Sequence, residues 1–124
     1  MIFGLNEETI SRINSVFSEF FGIEKVIIYG SRAKGNFREG SDIDLTILGK
    51  DLSRDLIYEL NRRIDSLNLP YSFDISIFND LKNEELIDHI NRAGKIFYSH
   101  LSDPESSALN NQKPDNPDNL ISTK

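Results

Sequence analysis

Two apolar runs, separated by a glycine-bounded basic loop and the second carrying carboxylates at alternate positions, constrain the fold of this chain most tightly. The first run is Val26-Ile27-Ile28-Tyr29; the second, Asp42-Ile43-Asp44-Leu45-Thr46-Ile47, follows Gly30-Ser31-Arg32-Ala33-Lys34-Gly35, Asn36 to Glu39 and Gly40-Ser41. Side chains alternate across a strand, so Asp42 and Asp44 project from one face while Ile43, Leu45 and Ile47 project from the other. A later segment, Tyr71 to Phe78, repeats the parity: Phe73, Ile75 and Ile77 are apolar, and Asp74 shares its face with Ser76. If the two strands are neighbours, all three acids converge.

Such a convergence carries an electrostatic demand. Two ionised carboxylates about 4 Å apart repel by about 1 kcal/mol in water and about 4 kcal/mol at an effective dielectric of 20. Three of them need a compensating cation or a raised pKa. Oxygen-only donors suit magnesium or manganese, which combine a few carboxylates with waters and substrate phosphates. An Asp-x-Asp strand taken alone reads equally well as the solvated face of a half-buried sheet. Gly30-Ser31 closing one strand, Gly40-Ser41 opening the next and Asp74 on matching parity tip the balance toward a metal-nucleotide site.

The loop supports the same reading. Gly30 ends the first strand and feeds a short helix near Ser31 to Lys34, whose leading backbone N–H groups suit phosphate oxygens. Ser31 adds a hydroxyl, and Arg32 and Lys34 add positive charge; Arg38 defaults to a solvated loop position. The loop is not a Walker A, since Gly35 is followed by Asn36-Phe37 rather than by Lys and Ser or Thr. Nor is the segment from Asp42 an EF-hand, because Ile47 stands where the sixth-position glycine belongs.

On these residues the chain resembles the nucleotidyltransferase superfamily related to DNA polymerase beta, and most closely its minimal single-domain members, the MNT group. The matching pattern is Gly30-Ser31-Arg32-Ala33-Lys34-Gly35, then Gly40-Ser41-Asp42-Ile43-Asp44-Leu45, then Asp74, over roughly residues 5 to 100. The resemblance implies an α/β (α+β) nucleotidyltransferase fold, a small mixed sheet with helices mainly on one face and an open acidic face. It implies that Asp42, Asp44 and Asp74 are catalytic and hold two magnesium ions (manganese as the alternative), with Asp74 also acting as general base. It further implies that Gly30, Ser31, Arg32, Lys34 and Ser41 bind the nucleotide, ATP being the expected substrate. Minimal members pair with a helical HEPN-type protein, in some systems a toxin that the MNT antitoxin adenylylates. Transfer of AMP to a hydroxyl of such a partner is therefore the leading expectation. A non-catalytic antitoxin acting by occlusion, and a transferase for small molecules of antibiotic type, are the alternatives.

The remaining sequence frames this site. Asn6 caps a helix with Ile10, Ile13, Val16, Phe17, Phe20 and Phe21 at helical spacing and Gly22 as its stop. Leu52, Leu56, Ile57, Leu60, Ile64 and Leu67 mark a second amphipathic helix, broken by Asn68-Leu69-Pro70, and Asn83 to Gly94 reads as a third. Ile96-Phe97-Tyr98 suits a short closing strand. His89 and His100 have no companion at metal-ligand or catalytic spacing and receive no chemical role.

With 124 residues, one domain over 1–100 is expected, followed by a polar, proline-containing stretch over 101–124 that reads as a disordered tail. A net charge of −6 and a pI of about 4.8 argue against nucleic acid as the main partner and for a nucleotide or a protein. There is no cysteine, hence no thiol chemistry. No apolar run approaches the ~20 residues of a membrane span and the N-terminus lacks a signal peptide's pattern, so a cytoplasmic protein is expected.

Overall fold

The computed structural model describes residues 1–100, so the expected tail over 101–124 lies outside the described residues. The elements follow the order α1 (Glu7–Ser18), β1 (Ile23–Tyr29), α2 (Ser31–Lys34), β2 (Ile43–Gly49), α3 (Arg54–Asp65), β3 (Phe73–Ile77), a 3₁₀ turn at Phe78–Asp80, α4 (Glu84–Ala93) and β4 (Lys95–Ser99). Each longer helix starts where a polar side chain satisfies a free amide. The Asn6 carboxamide accepts from Thr9 N–H at 2.8 Å, the Ser53 hydroxyl from Leu56 N–H at 3.2 Å and the Asn83 carboxamide from Leu86 N–H at 3.1 Å.

The sheet has the order β3-β2-β1-β4. β1 runs antiparallel to both β2 and β4, while β2 and β3 are parallel, so the sheet is mixed as expected. A parallel pair needs a crossover, and α3 provides it, covering the apolar face. On that face Val26, Ile28, Ile43, Leu45 and Ile47 bury completely against Ile13, Val16 and Phe17 of α1 and Leu60 and Ile64 of α3. The β1–β4 register shifts between Val26 and Ile27, leaving an extra residue on β4. Consecutive Phe97 and Tyr98 thereby both meet the Phe17 ring, at centroid separations of 6.3 and 5.7 Å.

The first helix ends at Ser18 with Glu19 as its cap, short of Gly22, and Phe21 lies outside the core at 96% exposure. The backbone of 20–22 is already committed to starting β1: Ile23 N–H donates to Phe20 O and Lys50 N–H to Gly22 O, both at 3.0 Å. A Cβ on Gly49 would stand 1.9 Å from Gly22 O, so the two segments cross at a distance only glycine allows. Phe20 keeps contact with the core while Phe21 is turned outward.

The opposite face is divided. Tyr29 pairs with Asp44 and Ile27 with Thr46, so these four side chains share it. α4 packs over the β1 side: a Cβ on Gly94 would meet Ile27 Cγ2 at 2.7 Å, and the His89 ring stands edge-on to Tyr29 at 6.3 Å. Ile90 is 2% exposed yet separate from the main core. Over β2 and β3 the end that carries the acids stays accessible, whereas Thr46 further along β2 is fully buried. Among the described residues no helix is long and apolar enough to cross a membrane.

Candidate active site

Strand pairing sets Tyr29, Asp44 and Asp74 in one row across three strands, since Tyr29 is the register partner of Asp44 and Asp44 that of Asp74. β2 begins at Ile43, so Asp42 stands one residue ahead of the strand, where the loop delivers it. Asp44 is half-buried while Asp42 and Asp74 are exposed. Burial pushes the Asp44 carboxyl above the usual carboxylate range, and the charges of Asp74 and then Asp42 push it further. Burial likewise raises the Tyr29 phenol, with Asp74 adding to the effect, a hydrogen bond with Ser76 opposing it, and Asp44 adding least. Beneath this row, Ser76 Oγ donates to Thr46 Oγ1 at 3.0 Å and Thr46 Oγ1 donates to Ser76 O at 3.4 Å.

The negative fields of Asp42 and Asp74 thus meet on Asp44. Among the described residues, however, no group of three or more His, Cys, Asp or Glu is arranged to hold a metal ion by itself. Magnesium is usually bound through one or two carboxylates plus waters and substrate phosphates, not by an all-protein cage. The residues fit that mode: the donors are oxygens, and Asp44 is stressed by like charge that a divalent cation neutralises.

Gly30 closes the row. Its backbone, at φ 78° and ψ −155°, lies in a region open almost only to glycine. A Cβ there would also stand 2.5 Å from Asp44 Oδ2, so the missing side chain is what lets the carboxylate sit against the turn. Ser31 then opens the single turn of α2, which Gly35 ends at φ 89° with its N–H donating to Ser31 O at 2.9 Å. Ser31 is half-buried and Lys34 is exposed.

Arg32 is buried inside the loop. It is 3% exposed, its Nε and Nη2 donate to Ser41 O at 3.1 and 3.0 Å, and its Nη1 donates to Phe3 O at 2.9 Å. Phe37 and Tyr71 stack on the guanidinium at 5.2 and 5.1 Å. The side chain ties the loop and the N-terminal segment together. Ser41 is drawn into the same tie, since its carbonyl receives Arg32 and its hydroxyl accepts Arg38 N–H at 2.8 Å. That anchor fixes the residue immediately before Asp42.

Two residues to which the sequence reading gave no role also stand here. Tyr29 was legible in principle, because a β1–β2 hairpin in the right register puts it opposite Asp44. His89 carried no such signal: its Nε2 accepts the Gly30 N–H at 3.4 Å only because α4 folds over the acid face.

The family described as polymerase beta, nucleotidyltransferase matches residues 11–103. A proposed protein adenylyltransferase of Methanocaldococcus jannaschii is 31% identical over 104 residues, covering 76% of this chain and all of that protein. A chain of a toxin-antitoxin complex with AMP-PNP superposes with a TM-score of 0.61 at 23% identity, covering 85% of this chain and 82% of that one. A chain from the complex of a tri-AMPylated Shewanella oneidensis HEPN toxin with its MNT antitoxin gives 0.57 at 16% identity, covering 84% and 82%. At these identities the two superpositions speak for the fold.

Proposed function

Since the chain belongs to the polymerase beta nucleotidyltransferase family, we propose that it transfers AMP from ATP, with magnesium, to a hydroxyl of a HEPN-type toxin that it neutralises as antitoxin. The observation that carries this reading is the half-buried Asp44, in register with Asp74, beside Asp42 and against the Gly30 turn. The name of the Methanocaldococcus jannaschii relative supports a protein acceptor, and the toxin-antitoxin complexes of similar fold support the kind of partner. A cytoplasmic setting, with ATP and the partner at hand, goes with it.

Asp42 and Asp44 would hold magnesium, with Asp74 completing a second position. When bound, the metal neutralises the polyphosphate and stabilises the entering and leaving oxygens of an in-line displacement. The Gly30–Ser31 turn binds the β and γ phosphates, with Lys34 as the nearby exposed cation. The acceptor oxygen forms a bond to the α-phosphorus as the bond from that phosphorus to the bridging oxygen breaks. Asp74 takes the hydroxyl proton, and pyrophosphate leaves.

The test is mass spectrometry of a HEPN partner co-expressed with the wild type or with the Asp42→Asn, Asp44→Asn double variant. The expected result is one or more adenylyl groups on the partner with the wild type and none with the variant. An unmodified partner in both refutes transfer, and neutralisation that then survives loss of the acids leaves occlusion as the mode of action.

A further inference from the structure

One amide of the Gly30 turn falls between the ladder and the helix. β1 ends at Tyr29 and α2 begins at Ser31, and the Gly30 N–H turns instead to His89 Nε2 at 3.4 Å. In this contact Nε2 serves as the acceptor. The ring is oriented by its edge-on contact with Tyr29, and α4 is seated on the sheet by the buried Ile90 and by Gly94 against Ile27. Asp88, the residue before it, is occupied with Arg92, whose Nε donates to Asp88 Oδ2 at 2.8 Å. A backbone in a glycine-only region persists where its surroundings fix it on several sides. Here the Asp44 carboxylate fixes one side and the His89 imidazole the other.

We propose that His89 is a positioning residue for the Gly30–Ser31 turn, setting its angle and through it the affinity of the site for the polyphosphate of a nucleoside triphosphate. The inference rests on the reading of that turn as the phosphate cradle. It asks no contact between His89 and substrate. Leucine would fill the same half-buried space, so packing alone does not call for an imidazole; an acceptor for the Gly30 N–H does.

The experiment compares wild type, His89→Leu and His89→Gln by calorimetry with ATP and magnesium, by steady-state kinetics and by thermal melting. Loss of one positioning hydrogen bond is expected to weaken ATP binding about tenfold in His89→Leu, while glutamine, whose carbonyl can accept the same proton, stays within about threefold of wild type. The rise falls on KM for ATP, with kcat recovered at saturation and melting temperatures alike for the two variants. Leucine binding ATP like wild type, or glutamine as impaired as leucine, overturns the proposal. If ATP binding depends on His89 but no partner is modified, the transfer reading fails and this one stands. If the partner is modified and His89→Leu binds ATP normally, the reverse holds.

Discussion

Replacing Arg32 by methionine separates two jobs that a basic residue in this loop can do. The guanidinium makes three hydrogen bonds to the carbonyls of Ser41 and Phe3 and lies between two rings. Bonds from a charged donor contribute about 1.5–3 kcal/mol each, and the pair sharing Ser41 O counts for little more than one. Each ring contact adds about 0.5–1 kcal/mol, of which methionine keeps a part through its sulfur. Methionine also relieves the cost of burying the charge. The net loss is about 2–4 kcal/mol, which for a domain of this size lowers the melting temperature by about 10–20 °C. Arg32→Lys should fall between, because one ammonium cannot reproduce the fork. Circular dichroism melts and ATP titration on the same samples decide the matter. A melting temperature within about 3 °C of wild type together with tenfold weaker ATP binding would refute the assignment and return Arg32 to the phosphates.

Other substitutions probe the row of acids and the core. Gly30→Ala forces a side chain into a glycine-only conformation and onto the Asp44 carboxylate, so a loss of about 1–3 kcal/mol or more is expected in denaturant melts, with ATP binding lost alongside. The folded-state pKa of Asp44 is raised, so its contribution favours the fold below the unfolded pKa and is lost as pH rises through the folded one. Asp44→Asn should therefore raise the melting temperature of the ligand-free protein near neutral pH, lose that advantage in acid and abolish transfer; equal melts at both pH values would contradict the shift. Phe17→Ala, at the junction of α1 with Phe97 and Tyr98, should cost about 3–5 kcal/mol in chemical unfolding. Magnesium with a non-hydrolysable ATP analogue should stabilise the wild type against heat and leave the Asp42→Asn, Asp44→Asn variant unmoved.

Much of this architecture is written locally. Alternation in Ile43-Asp44-Leu45 and Phe73-Asp74-Ile75 assigns a face to each side chain without knowledge of the partner strand, and Asn6 and Asn83 announce their helices through a single side-chain acceptor. What escaped depends on contacts between distant segments. Nothing local in the Gly-Ser-Arg loop announces that the Phe3 carbonyl and Tyr71 ring, far away in sequence, surround Arg32. Phe21 fits a helical stripe, but the crossing of Gly22 and Gly49 ends that helix early. His89 looks isolated because no periodicity tells which side of a sheet a fourth helix will cover.

The register of the sheet also spreads the pieces of the site along the chain. Tyr29 and Asp44 face each other within one hairpin, closed by a loop that carries its own single-turn helix. Asp74 joins them only where β3 lies alongside β2 in parallel, across the longer connection that contains α3. A nascent chain halted before Phe73 would own the hairpin and its two acids yet lack both the strand that brings Asp74 and the helix that brings His89, so the site is whole only when both have been made.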